Sequence, residues 1–251
     1  MSVVHHEVTG DPRNPALLLS NSLGTALELW EPQLEAFSED FRVIRYDSRG
    51  HGRSPVPPGP YTIEDLGADV VELLDHLEVE RAHVVGISIG GLTGQHLAVR
   101  YPDRVGKLVV ANTAPRIGEP DTWRQRAEVV TARGMSAIAD GVVERWLTAD
   151  HAAKHPETVT WLRQMLLTTD PAGYAATCEA LATADLRAEI SRITAPTLAI
   201  GGTGDVPTPP AATRAIADTV PGARYLELEA AHISNVEAAA PFTAAVLDFI
   251  V

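Results

Sequence analysis

The sequence predicts an α/β protein with a doubly wound, mostly parallel sheet and an inserted helical cap. Short apolar runs alternate with segments of helical period on both sides of residues 116–187, and that stretch itself contains no convincing strand. Runs that are apolar without alternation are typical of strands buried on both faces of a parallel sheet. Their alternation with helices indicates a doubly wound arrangement.

The individual elements follow from these patterns. Six runs predict strands: Ala16–Ser20, Arg42–Tyr46, His83–Ile87, Lys107–Asn112, Thr197–Gly201 and Ala223–Leu228. Apolar spacing near 3.6 residues and the positions of prolines predict three helices before residue 116 and after residue 187: Ile63–Leu77, Gly91–Tyr101 and Pro241–Val251. Four further helices are predicted in succession between them: Asp121–Thr131, Ser136–Leu147, Pro156–Thr168 and Pro171–Ala184. We therefore expect residues 1–115 and 188–251 to form the core and residues 116–187, the cap segment, to form a helical insertion.

The amino-acid composition and net charge limit the kinds of function and partner that this chain can have. The 251 residues are 45% hydrophobic, which is enough for one sizeable core. A net charge of -13, from 20 basic and 33 acidic residues, argues against nucleic acid as a partner. No export signal opens the chain, and no apolar run approaches the roughly 20 residues of a membrane helix. With Cys178 as the one cysteine, we expect a cytoplasmic protein without membrane partners.

The strongest motif is Gly86-Ile87-Ser88-Ile89-Gly90, which lies directly between a predicted strand and a predicted helix. Small residues two positions before and after the serine permit a tight turn that exposes its hydroxyl, with a helix N-terminus behind it. Ser88 is therefore the candidate nucleophile. The alternative is an ordinary glycine-rich turn, since the pattern also occurs by chance.

A serine nucleophile needs a base and a group that orients the base. Asp205 follows the predicted strand Thr197–Gly201, and His232 follows the last predicted strand. The order Ser88, Asp205, His232 matches one hydrolase architecture and differs from those of the chymotrypsin and subtilisin types. One alternative is a turn or capping role for Asp205. His96, two turns beyond Ser88 on the same helix face, is an alternative to His232, or else a core or supporting residue.

The attacked carbonyl also needs hydrogen-bond donors for its oxyanion. The N–H of Ile89, directly after the nucleophile, is one candidate, and the N–H of Leu23 in the loop after an early strand is the other. The segment around Leu23 is alternatively a plain turn. No histidine cluster has zinc-ligand spacing, and no phosphate-binding glycine motif occurs, so no metal or cofactor is expected.

These residues together resemble the α/β-hydrolase family over nearly the whole chain. More narrowly, the sequence is similar to 3-oxoadipate enol-lactonases of the β-ketoadipate pathway. The segments that carry the narrower match are Ser20–Thr25 with Trp30, Arg45–Ser54, Ala111–Ala114, Glu144–Trp146, Ala184–Arg187, Thr208–Pro210 and Ala231–Glu237. Ile89 departs from the methionine expected there, which matters little because the backbone is the donor.

The resemblance implies hydrolysis of a small lactone that carries a free carboxylate, through an acyl-enzyme on Ser88. A carboxylate entering a largely apolar pocket needs a cationic partner. The candidates in or beside the cap segment are Arg116, Arg124, Arg145 and Arg187, any of which is alternatively an ordinary surface residue. Trp123 and Trp146 are candidates for the pocket wall, or alternatively for the core. Competing functions are a carboxylesterase, a carbon-carbon bond hydrolase and a binding protein without catalysis.

Overall fold

A seven-stranded sheet runs through the computed structural model, which describes residues 3–251. Met1 and Ser2, part of the stretch expected to carry no export signal, lie outside the described residues. The strands are β1 (His6–Thr9), β2 (Ala16–Ser20), β3 (Arg42–Tyr46), β4 (Ala82–Ile87), β5 (Val105–Ala111), β6 (Thr197–Gly202) and β7 (Arg224–Leu228). Their order is β1-β3-β2-β4-β5-β6-β7, with β1 antiparallel to β3 and every other pair parallel. The predicted α/β fold class is confirmed.

Helices flank this sheet and fill the connection between β5 and β6. They are α1 (Glu31–Asp40), α2 (Ile63–His76), α3 (Ile89–Arg100), α4 (Pro120–Arg133), α5 (Ala139–Val143), α6 (Ala149–Lys154), α7 (Pro156–Thr168), α8 (Pro171–Thr183), α9 (Pro210–Thr219), α10 (Ser234–Glu237) and α11 (Ala239–Ile250). Helix α3 packs on β4 and β5, and α1 packs against α11. No helix of the described residues is long and apolar enough to cross a membrane.

The prediction of one helix over Ser136–Leu147 is wrong. A short 3-10 turn (Met135–Ala137) precedes α5, which ends at Val143, and turns continue to Leu147. The carbonyl of Trp146 accepts a hydrogen bond from the N–H of Ile233 at 2.9 Å instead of completing a helix. A tertiary contact has therefore replaced the helical pattern at the end of this segment.

The cap segment packs mainly through α4 against α8. Helix α8 begins after Asp170, whose Oδ1 accepts the N–H groups of Ala172 and Gly173 at 2.8 and 3.1 Å, as expected of a helix N-cap. Gly173 then lies so close to Gly50 that a Cβ on either glycine would overlap the other's backbone. This close approach holds α8 against the loop that follows β3.

Candidate active site

Ser88 lies on a sharp turn between β4 and α3. Its φ of 58° is in the left-handed region, which non-glycine residues rarely adopt. The N–H of Ser88 donates to the carbonyl of Ala111 at 2.9 Å, and its own carbonyl accepts from the Thr113 hydroxyl at 2.6 Å. Hydrogen bonds from the neighbouring strand end thus hold this strained residue in place.

Glycines on both sides of Ser88 allow the turn to close. A Cβ at Gly86 would overlap the carbonyl oxygen of Gly90, and a Cβ at Gly90 would overlap the carbonyl oxygen of Ser20. No side chain can occupy either position without displacing backbone. The spacing of the motif is therefore a direct requirement of the turn.

The structure brings the three residues of the expected triad together. His232 Nε2 lies 2.9 Å from the Oγ of Ser88, and His232 Nδ1 lies 3.0 and 3.1 Å from the two carboxylate oxygens of Asp205. All three residues are buried. A carboxylate on Nδ1 favours the tautomer whose Nε2 accepts the serine proton.

Asp205 accepts three hydrogen bonds from two residues, Thr208 and Asn112, besides contacting His232. The Thr208 N–H donates to Oδ1 at 3.0 Å, and the Thr208 hydroxyl and Asn112 Nδ2 donate to Oδ2 at 2.7 and 3.0 Å, all within a buried setting. Burial alone would raise the pKa of the Asp205 carboxyl, but His232 and these donors together hold that pKa below its ordinary value. The carboxylate is therefore stabilised in its charged form.

The alternative base, His96, is placed differently. Its imidazole on α3 lies against Gly67 of α2, where a Cβ would come within 2.5 Å of His96 Cδ2, and its ring contacts Tyr101. Burial lowers the pKa of His96. Within residues 3–251 the His96 ring makes no hydrogen bond to Ser88 and its Nδ1 is unpaired, so His96 is a packing residue between two helices.

Two backbone N–H groups near Ser88 are free to bind an oxyanion. Leu23 lies in a turn closed by the hydrogen bond from the Thr25 N–H to the Ser22 carbonyl at 3.2 Å, with Gly24 at a φ of 78°. Within residues 3–251, the N–H of Leu23 has no hydrogen-bond acceptor. Ile89 is the first residue of α3, where N–H groups lack intrahelical acceptors.

A cavity of about 200 Å³ opens beside Ser88 and His232. Core loops contribute Ser22 and Leu23, and the remaining wall is largely from the cap segment: Ile117, Gly118, Thr122, Trp123, Arg126, Val142, Arg145, Trp146 and Tyr174. Both expected tryptophans therefore line the cavity. No group of three or more histidine, cysteine, aspartate or glutamate side chains in the described part of the chain could hold a metal.

Of the four arginines expected near the substrate, Arg145 alone lines this cavity. The other three are engaged with carboxylates elsewhere: Arg116 with Glu119 at 2.6 Å, Arg124 with Asp121 at 3.2 Å, and Arg187 with Asp185 at 2.6 Å.

Glu237 ties the cap segment to the loop that carries His232. Its Oε2 accepts the N–H of Ala231 at 2.9 Å and the N–H of Thr148 at 3.1 Å, and its Oε1 accepts the Thr148 hydroxyl. One carboxylate thus bonds to a residue adjacent to His232 and to the segment that follows Trp146.

Comparison with known proteins agrees with this geometry. Residues 15–239 match the model of a protein family described by the alpha/beta hydrolase fold. The chain belongs to the α/β-hydrolase family.

Individual relatives of this α/β-hydrolase include lactonases. This chain is 44% identical over 243 residues to 3-oxoadipate enol-lactonase 2 of Acinetobacter baylyi, and the alignment covers 97% of this chain and 91% of that protein. The crystal structure of the enol-lactonase from Burkholderia xenovorans LB400 aligns with a TM-score of 0.97 and 48% identity, covering 98% and 96% of the two chains. A candidate carbamate hydrolase, RutD, of Stutzerimonas stutzeri is 32% identical over 266 residues, covering 98% and 96%. The similarity supports hydrolysis, with several substrate classes among the relatives.

Three residues of the candidate site, Asn112, Thr208 and Arg126, were not predicted from the sequence. Asn112 and Thr208 lay in segments that carried the lactonase resemblance, but nothing in the sequence joined them to Asp205. Arg126 was not singled out, because α4 has charged residues on several sides and its pattern does not reveal which of them face the nucleophile.

Proposed function

We propose that this α/β-hydrolase hydrolyses 3-oxoadipate enol-lactone to 3-oxoadipate, with Ser88, His232 and Asp205 as a catalytic triad. The observation that carries the proposal is the continuous chain of contacts from Ser88 Oγ through the imidazole to the Asp205 carboxylate, beside a small cavity. The similarity to enol-lactonases supports the choice of substrate.

The first half of the reaction forms an acyl-enzyme. His232 Nε2 takes the proton of the Ser88 hydroxyl as Oγ attacks the lactone carbonyl carbon, and Asp205 balances the charge of the imidazolium. The N–H groups of Leu23 and Ile89 stabilise the oxyanion of the tetrahedral intermediate. The bond between that carbon and the ring oxygen then breaks, and His232 returns its proton to the departing enol, which tautomerises to the ketone.

The second half releases the product. A water molecule gives a proton to His232 Nε2 and attacks the acyl carbon, and the new oxyanion occupies the same two N–H groups. The bond to Ser88 Oγ breaks as His232 returns the proton to that oxygen. The net reaction adds one water to the lactone.

The cavity supports a small substrate. Its volume of about 200 Å³ lies below the range of pockets for drug-sized ligands. Trp123 and Trp146 supply apolar walls for a planar ring, whereas Ser88, His232, Arg126 and Arg145 supply polar groups of the lining. A small planar lactone fits this division.

The test follows the ultraviolet loss of freshly generated 3-oxoadipate enol-lactone with the wild type and with Ser88→Ala, beside p-nitrophenyl acetate and a small carbamate. We expect rapid lactone loss that falls by at least about 1000-fold in the variant. Ester turnover without lactone turnover would support a carboxylesterase, preferential carbamate turnover would support a carbamate hydrolase, and no turnover of any substrate would support a binding protein.

A further inference from the structure

Arginines in this acidic protein are generally engaged with carboxylates or backbone carbonyls. Arg45 shows the pattern in the core, where its buried guanidinium contacts Glu7 at 3.0 Å and Glu31 at 2.7 Å. Arg49 pairs with Asp69 at 2.6 Å in the same way. An arginine that is partly buried without such a partner is therefore unusual here.

Arg126 and Arg145 are two such arginines. Both are half-buried, and neither forms a salt bridge with any carboxylate of residues 3–251. The guanidinium of Arg126 lies over the ring of Trp123, with 4.7 Å between Cζ and the ring centroid. Burial, and next the charge of Arg126, lower the pKa of Arg145, and the smaller opposing effects of Tyr174 and Glu144 do not cancel them. A partly desolvated cation without a counter-charge costs free energy, and a second cation nearby adds to that cost.

The position of the two arginines relative to the nucleophile is specific. Both line the cavity beside Ser88 and His232, and both also line a second, outer cleft between α4 and residues 137–145. They therefore stand between the outer cleft and the reacting atoms. A ligand whose reactive carbonyl is at Ser88 and whose chain extends toward the cleft brings its far end to both guanidinium groups.

We propose that Arg126 and Arg145 together bind a carboxylate at the end of the substrate chain remote from the scissile bond. The site then takes small esters and lactones whose acyl chain ends in a free carboxylate. The proposal rests on the proposed function, because it assumes that Ser88 is acylated. Two guanidinium groups supply charge-assisted hydrogen bonds to one carboxylate, and the carboxylate becomes the salt-bridge partner that neither arginine has within residues 3–251.

The pair Arg126 and Arg145 also explains how a protein with a negative net charge can bind an anionic substrate. A net charge of -13 repels anionic substrates at long range. Unpaired cations at the inner end of a cleft give a local attraction, whereas arginines already paired with carboxylates, such as Arg116, give none.

The test compares two p-nitrophenyl esters with acyl chains of equal length, the hexanoate and the mono-ester of adipate, which ends in a carboxylate. These chains match the six-carbon acyl group that the proposed lactone leaves on Ser88. We expect the wild type to prefer the adipate ester by kcat/KM. The preference should fall by about 10-fold to 100-fold in Arg145→Gln and in Arg126→Gln, because turnover of the adipate ester falls much more than turnover of the hexanoate.

Two variants act as controls. Arg133→Gln removes an exposed arginine from the last turn of α4 and should keep the preference. Arg145→Lys keeps the charge without the planar donor pair and should retain part of the preference, which guards against loss of fold in Arg145→Gln.

The outcomes separate this inference from the proposed function. A wild type without preference for the adipate ester, or glutamine variants that lower turnover of both esters equally, would overturn the carboxylate site. A wild type that shows the arginine-dependent preference but leaves 3-oxoadipate enol-lactone intact would sustain the carboxylate site and overturn the lactone assignment.

Discussion

The side-chain amide of Asn112 donates a hydrogen bond to Oδ2 of Asp205 at 3.0 Å. The same Nδ2 donates to the carbonyl of Ala231 at 3.0 Å, and the hydroxyl of Ser234 donates to Asn112 Oδ1. Asn112 is fully buried and has a φ of 47° at the end of β5. One side chain thus connects the loop of the acid with the loop of the histidine, and we infer that Asn112 positions both.

Replacing Asn112 with glycine should slow the chemical step. Glycine accepts the left-handed backbone, so the variant removes the amide without adding strain. A hydrogen bond to a buried carboxylate contributes about 1.5–3 kcal/mol, which predicts a fall in kcat of about 10-fold to 100-fold. KM for p-nitrophenyl acetate should stay nearly constant, because Asn112 does not line the cavity.

Ser234→Ala is the matched control for this prediction. It removes the donor to Asn112 Oδ1 but leaves the bond from Asn112 to Asp205. Its loss in kcat should be clearly smaller than that of Asn112→Gly. A rise in KM with unchanged kcat in Asn112→Gly would mean that the residue shapes the pocket and not the triad.

Leu23→Pro should remove an oxyanion donor while preserving its turn. Gly24 at a φ of 78° and the hydrogen bond from Thr25 to Ser22 are typical of a type II turn, in which proline is favoured at the position of Leu23. Loss of one such donor costs about 100-fold to 1000-fold in kcat. The measurement is kcat with the lactone and with p-nitrophenyl acetate.

Leu23→Ala separates the backbone from the side chain in that experiment. It loses the buried leucine side chain but keeps the N–H group. If the two variants lose the same activity, the N–H of Leu23 does not act on the oxyanion.

His51 should make the protein less stable as the pH falls below about 6.5. It is buried in the loop after β3, and burial lowers its pKa to about 4, against an ordinary value of 6.5. Between these values the unfolded chain binds a proton that the folded chain excludes, so the free energy of unfolding decreases on acidification. Between pH 7 and pH 5 the loss from this one group is about 2 kcal/mol.

Urea unfolding of wild type and His51→Asn at pH 7 and pH 5 measures this effect. The difference between the two pH values should be smaller in the variant by about 2 kcal/mol. It does not vanish, because burial also lowers the pKa of His83 and His96. His76→Asn removes an exposed histidine as a control, and equal pH dependence in wild type and His51→Asn would refute the assignment.

Two glycine substitutions should have opposite effects on stability. Gly90→Ala places a Cβ against the carbonyl oxygens of Ser20 and Asn21, which are backbone atoms with no freedom to move alone. Gly141→Ala, in α5, meets no atom within 4 Å. We expect the first to lower the free energy of unfolding by at least about 2 kcal/mol and the second to raise it by about 0.5 kcal/mol. Similar values for both would contradict the packing described at the turn of Ser88.

Strands were predictable from the sequence where burial on both faces of the sheet requires apolar residues. The bounds of β2 and β3 were predicted without error, because each strand is centred on buried aliphatic residues, Leu17–Leu19 in β2 and Val43–Ile44 in β3. Helices α1 and α9 were not predicted, because each buries only two residues and has no long apolar stripe. The break in Ser136–Leu147 depends on a hydrogen bond from Ile233, which lies far away in the sequence.

Some residues of the candidate site were likewise predictable from the sequence, and others were not. Ser88, Asp205 and His232 were predictable, because a strained turn needs small neighbours and each residue follows a strand whose end lies at one edge of the sheet. Arg126 and Asn112 depend on side-chain direction after folding, which local spacing does not encode. The choice of Arg145 among four arginines likewise required knowing which of the others already pair with carboxylates.

The carboxylate of Glu237 couples the position of the cap segment to that of the loop that carries His232. A movement that lifts Thr148 also pulls on Ala231, the residue before His232, so opening on this side would disturb the base itself. Access for substrate is therefore expected past α4 and α5, where the outer cleft already reaches the cavity wall. If the cap segment is replaced by that of a relative, the new segment must supply a hydrogen-bond donor to Glu237 in place of Thr148. Without that donor, we expect His232 to be misplaced.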